Sequence, residues 1–131
     1  MNRMVLTVLR LVPMLAVMGT IFILSGTPGD RLSLSVLPGI DKLAHMVAYG
    51  ILALTTLFAF SEERRRNHRK MVILLTVVFC VAYGISDEFH QAFVPGRSPS
   101  ILDIVADCAG AVTATVFYVM WRDRRGTLLP L

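Results

Sequence analysis

Apolar residues along this chain come in four long runs, over 4–25, 43–60, 71–86 and 101–121, and polar positions gather between the runs or at their ends. A helix that crosses a bilayer needs about 20 mostly apolar residues. Each run approaches or meets that length, so the pattern predicts an all-α, polytopic membrane protein: a bundle of four transmembrane helices, the third carried on to Glu88 (71–88). Three connections follow. The first, 26–41, holds Gly, Pro and Ser with an alternation of Leu32, Leu34 and Val36 that suits a segment lying on the membrane surface. The second, 61–70, is a run of charge. The third, 90–100, contains Pro95, Gly96 and Pro99, which prevent regular helix.

Composition agrees with a lipid environment. Of 131 residues, 55% are hydrophobic and only 17% charged, too little charge to wet the outside of a soluble domain of this size. Mean hydropathy is +0.66. The net charge of +4 reads as membrane orientation rather than nucleic-acid binding, since no aromatic-rich basic groove or reading module accompanies it. Arg64, Arg65, Arg66, Arg69 and Lys70 crowd the second connection, and Arg122, Arg124 and Arg125 follow the last run. Arg3 and Arg10 mark the first run, whereas the other two connections carry only Arg31, Lys42 and Arg97. The positive-inside rule therefore predicts both termini in the cytoplasm.

A cleavable signal peptide ending near Gly26 is the competing account of the first run. Its cleavage-site pattern is poor and the run is long for a signal core, so an uncleaved helix is expected. Cys80 and Cys108 lie inside apolar runs, without disulfide or zinc spacing, and read as packing residues.

With this topology the polar residues collect at the outer helix ends. The second helix begins with Asp41 and Lys42, followed by His45 and Tyr49 at the four-residue spacing that stacks side chains on one face. The third ends in Asp87, Glu88, His90 and Gln91. The fourth opens with Ser100 as an N-cap and carries Asp103 and Asp107 on a face that continues through Gly110 and Ala114, small enough for close helix contact. His45, Asp103 and Asp107 all fall within roughly 10 Å of their helix starts at about 1.5 Å per residue. Ionisable groups at membrane depth cost at least about 2.5 kcal/mol and usually mark a site or a partner.

Each group also has a plainer explanation. Asp103 and Asp107 suit the positive end of a helix dipole. Arg97 has even weight as a loop brace, pairing with Glu88 or Asp103, and as a ligand contact. Asp41 reads as a solvated helix start, Lys42 as a snorkelling side chain, and His90 and Gln91 as solvated loop residues. Tyr49 is placed slightly more readily in the outer aromatic belt than in a site. His45 alone would be a histidine bonded to a neighbouring helix, but aligned with Glu88 and Asp103 it leans towards function. His68 belongs to the basic loop. Phosphate-cradling Gly-rich loops, His-Glu-x-x-His and Gly-x-Ser-x-Gly are missing.

Asp41-Lys42-Leu-Ala-His45 with Tyr49, Asp87-Glu88-Phe-His-Gln91, Pro95-Gly96-Arg97, and Ser100-Ile-Leu-Asp103 with Gly110 together resemble the VanZ-like family over about 41–117. The resemblance implies a polytopic bacterial membrane protein of the cell envelope, in a family whose named member is associated with resistance to the glycopeptide teicoplanin. Its characteristic residues correspond to Asp41, Lys42, His45, Glu88, Gln91, Arg97, Asp103 and Gly110. Asp107 departs from the pattern, which commonly has asparagine there, and adds a potential negative charge.

Three readings of function are open. In the first, an enzyme acts at the outer leaflet on a lipid-linked or envelope substrate by hydrolysis or group transfer. His45, Glu88 and Asp103 supply the acid, base or metal-ligand groups, and Arg97, Gln91, Lys42, Asp41 and Tyr49 contact substrate. A divalent metal ion would draw its ligands from His45, Glu88, Asp103 and Asp107. In the second, the same cluster binds a lipid head group, envelope precursor or glycopeptide, or locks the bundle. The third, a small transporter, lacks polar residues in the middle of the first helix and paired broken helices. Geometry separates the first two: catalysis needs His45, Glu88 and Asp103 around one point, whereas bracing would saturate them against each other.

Overall fold

The structure, a computed structural model, describes residues 2–29 and 39–128. It contains five helices: α1 (Arg3–Ser25), α2 (Ile40–Ala59), α3 (Glu62–Asn67), α4 (Arg69–Gln91) and α5 (Ile101–Leu128). All but α3 are long and apolar enough to cross a membrane, and among the described residues there is no strand. The protein is thus an all-α, multi-pass membrane protein. The surface-lying alternation of Leu32, Leu34 and Val36 falls outside the described residues.

Burial runs inside out relative to a soluble bundle. Large apolar side chains such as Leu54, Phe58, Leu74, Val78, Val105 and Phe117 are exposed, while Asp87, Glu88, Asp103 and Asp107 are buried. In lipid, apolar surface costs nothing to expose, and helix association rests on close packing and interhelical polar contacts. Small residues supply the packing. Gly110 of α5 lies so close to α2 that an added Cβ would fall on the Met46 carbonyl, and Gly50 of α2 faces Gly110 and Ala114 in return. The α2–α5 interface is accordingly the most extensive in the bundle. Around it sits the apolar core of Tyr49, Leu52, Ala53, Cys80 and Ala111, to which α1 contributes Ile21. Cys80 is a packing residue, as expected.

The charged second connection contains a helical turn and a half that the charge pattern does not predict. Ser61 caps it by accepting from the Arg64 amide at 3.3 Å, and Glu62 and Glu63 occupy its first turn, the two features that favour a helix start. The arginines here do more than stay hydrated. Glu62 binds Arg65 at 2.7 Å and also pairs with Arg122 of α5, and Arg69 grips Asp123 in a two-pronged pair at 2.9 and 2.8 Å.

At the opposite end, Val94-Pro95-Gly96-Arg97 closes through the Arg97 amide and the Val94 carbonyl at 3.1 Å. Gly96 takes φ of 74°, the left-handed value that the third position of a type II turn requires. The Gly29 amide donates to the Pro95 carbonyl at 3.2 Å, and Gly29 packs so tightly on Gly96 that a side chain would not fit. The end of α1 is thereby fastened to the turn that precedes α5.

Candidate functional site

Three helix ends converge beside that turn. Which side chains meet there follows from helical phase, since successive residues on a helix point about 100° apart. On α4, Tyr83, Asp87 and Gln91 share one face, and Gly84 and Glu88 share the next. Asp87 and Glu88 are neighbours in sequence but serve different places.

The Glu88 face looks towards α2 and α5. Glu88 Oε2 accepts the Ser100 amide at 2.7 Å, and its buried Oε1 has no hydrogen-bond partner among the described residues. His45 Nδ1 meets Asp107 Oδ1 at 2.9 Å. Asp107, fully buried, holds the imidazole through that nitrogen and leaves Nε2 for a proton or a metal. Lys42 ion-pairs with Asp41 at 2.8 Å and with Asp103. One donor atom from each of His45, Glu88 and Asp103 lies within 4.8 Å of the other two.

Each of the three is held by a different group: His45 by Asp107, Glu88 by the Ser100 amide, Asp103 by Lys42. They are oriented from behind rather than saturated against one another. Two carboxylates and an imidazole facing a common point form a ligand set suited to zinc, manganese or magnesium.

The Asp87 face looks towards α1. A cavity of about 140 Å³ lies there, lined by Ser25, Asp41, His45, Tyr49, Asp87, Gln91 and Arg97 among others. Gln91 Nε2 donates to Asp87 Oδ2 at 3.1 Å, and both side chains are buried. His45 belongs both to this cavity and to the Glu88–Asp103 cluster, so the two are contiguous through its ring.

Several of the plainer explanations fail on this geometry. Tyr49 is only 1% exposed and stacks near His45 with ring centroids 6.5 Å apart, an interior position rather than an aromatic-belt one. Lys42 does not merely snorkel, because its ammonium is engaged by two carboxylates. Arg97 pairs with neither Glu88 nor Asp103; it forms no ion pair among the described residues and lines the cavity instead. Gln91 is buried rather than solvated, and His90 stacks on Phe22 of α1 at 4.5 Å. Asp41, at 54% side-chain exposure, remains at the solvated mouth.

Asp107 stands outside the converging set and supports it from behind. Asp87 lines the cavity, whereas the sequence places it only at the polar end of the third helix and gives it no site role. Its four-residue spacing to Gln91 is the available signal, and the adjacent Glu88 overshadows it.

The sequence matches the VanZ/LLP1 family over residues 1–122. The chain belongs to that family. The match takes in the first three spans, most of the fourth and every residue of the site described above, extending beyond the 41–117 stretch that carries the motifs. An uncharacterized protein of the fission yeast Schizosaccharomyces pombe, C11E3.10, is 30% identical over 112 residues, which cover 85% of this chain and 65% of that protein. This chain thus spans less than two thirds of that longer protein's length. No solved structure matches.

Proposed function

We propose that the protein is a membrane enzyme whose site opens at the extracytoplasmic face and cleaves or transfers the head group of a lipid-linked substrate. The observation that carries this reading is the approach of donor atoms from His45, Glu88 and Asp103 to within 4.8 Å of one another from three separate candidate spans. His45 through Nε2, Glu88 through Oε1 and Asp103 would hold a divalent cation. Such a cation would polarise a phosphoryl or carbonyl oxygen and lower the pKa of a bound water. The chain's own groups supply the rest. Asp107 fixes the imidazole, Lys42 positions Asp103, and Arg97 in the adjoining cavity offers two donors to an anionic head group.

Charge distribution supports the orientation. The arginines of α3, the start of α4 and the end of α5 lie at one end of the bundle and the site at the other, which under the positive-inside rule favours cytoplasmic termini and a site outside. In a bacterial cell this is the inner membrane with the site facing the envelope. The yeast relative favours a lipid class found in both bacterial and eukaryotic membranes over a substrate peculiar to the bacterial wall. Teicoplanin resistance would then be an indirect result of altered envelope lipids.

The test uses wild type, Glu88→Gln and Asp103→Asn in nanodiscs, supplied with zinc, manganese or magnesium and a panel of phosphodiester and polyprenyl-phosphate lipids. Release of head group or phosphate is measured. The proposal expects both variants to insert at wild-type yield and to lose turnover. Loss of folded protein in both would instead favour bracing. Unchanged, saturable binding of a lipid without turnover in any metal would favour a non-catalytic head-group receptor.

A further inference from the structure

A second polar feature lies at the opposite, basic end of the bundle, remote from the site. In its outer half α1 is tied to the other helices: Tyr83 donates to the Met18 carbonyl at 2.7 Å, and Phe22 stacks on His90. In its inner half a cleft of about 840 Å³ lies between α1, the end of α2 with the start of α3, and α4. That volume falls within the roughly 300–1,000 Å³ typical of sites for small ligands.

The walls are apolar, with Leu11 and Met14 from α1 and Leu75 and Phe79 from α4. Its charged lining is Arg10 and Arg64 against one carboxylate, Glu63. Arg10 is unusual. It sits inside the apolar span Val5–Ser25, about 10 Å from the start of α1 by helical rise, and forms no ion pair among the described residues. Arg64, unlike Arg65 and Arg69, likewise pairs with no carboxylate among the described residues. A charged side chain within a span ordinarily has a partner. The anion available at that depth, beside an apolar wall, is the phosphate of a membrane lipid.

We propose that this cleft binds an anionic glycerophospholipid, one acyl chain lying along Leu11, Met14, Leu75 and Phe79 and the phosphate held by Arg10 and Arg64. Guanidinium matches phosphate through paired donors. The bound lipid then fills the gap between α1 and α4 and supports α1 along its inner half.

The protein in detergent is studied by native mass spectrometry with phosphatidylglycerol or phosphatidylcholine of the same acyl chains. Wild type should retain phosphatidylglycerol preferentially as a single adduct. R10Q/R64Q should weaken that retention by about fivefold for each arginine removed. R10K/R64K, which keeps the charge but not the paired donors, should restore only part of it, and R66Q, altered in the same basic segment but outside the cleft, should leave it unchanged. Equal retention of the two lipids by wild type would overturn the proposal. So would an R66Q loss as large as that of R10Q/R64Q, which would indicate a diffuse basic surface. Millimolar inorganic phosphate displacing the lipid completely would overturn the role of the apolar wall.

Discussion

Gly110→Ala is expected to do more damage than one methyl group suggests, because of where the methyl would go. The added Cβ would fall on the Met46 carbonyl oxygen and within 2.7 Å of its carbon, backbone atoms that cannot swing aside. Helices α2 and α5 would have to part, and overpacking of this kind costs about 1–3 kcal/mol. The site lies one residue away on α2 and three away on α5. A separation of about 1 Å would stretch the His45–Asp107 bond from 2.9 Å beyond hydrogen-bond reach. Leaving that buried carboxylate unpartnered adds about 1–3 kcal/mol. The sum, about 2–6 kcal/mol, corresponds to a fall in Tm of about 8 °C or more at about 4 °C per kcal/mol.

Two other glycines calibrate the measurement. At Gly84 a Cβ would come within 2.7 Å of Asp107 Oδ2, a side-chain atom with limited freedom, so Gly84→Ala should be intermediate. At Gly19 nothing lies within 4 Å, so Gly19→Ala should be neutral or slightly stabilising through helix propensity. Thermal unfolding in one detergent, followed by circular dichroism, ranks the three. Overpacking alone, at its lower bound of about 1 kcal/mol, would lower Tm by about 4 °C. If Gly110→Ala instead melts within about 2 °C of wild type, half that shift, the described α2–α5 contact is wrong.

Tyr83→Phe removes the hydrogen bond to the Met18 carbonyl and should cost about 0.5–1.5 kcal/mol, with hydrogen exchange rising in α1 before the other helices; unchanged exchange there would contradict the tie between α1 and α4. Glu62, beside Arg122 and Arg65, has its carboxyl pKa lowered from an ordinary 4.5 to about 2. A depressed carboxyl stabilises the fold above its unfolded pKa and loses that contribution as pH falls through the folded value. The wild-type advantage over Glu62→Gln should thus be constant above about pH 5 and shrink below it, and it should stay under about 1 kcal/mol because the pair is half exposed. An advantage that grows as pH falls would refute this assignment.

The spans were legible because each is a single apolar run, and the bilayer imposes a length on such runs. α2, expected over 43–60, starts earlier at Ile40, since Gly39 with φ of 85° turns the chain into the helix ahead of Asp41 and Lys42. α5 continues past 121 to Leu128, where Arg125 stacks over the Trp121 ring at 4.3 Å. The candidate site was partly legible, since four-residue spacing and equal depth already align His45, Glu88 and Asp103 in the sequence. What spacing along one helix cannot give is the rotation of that helix relative to its neighbours. That rotation sends Asp87 and Glu88 to different places and buries Tyr49, while the Val94–Arg97 turn brings Arg97 to the cavity. The short α3 carried readable signals in Ser61, Glu62 and Glu63, but they were masked by the charge run that follows.

The most direct test of the account is the metal content of the purified protein, wild type beside His45→Ala and Glu88→Gln, with circular dichroism confirming that all three are folded. About one divalent ion per chain is expected in wild type and none in either variant. Metal-free wild type after reconstitution with zinc, manganese and magnesium, or metal retained by both folded variants, would contradict it.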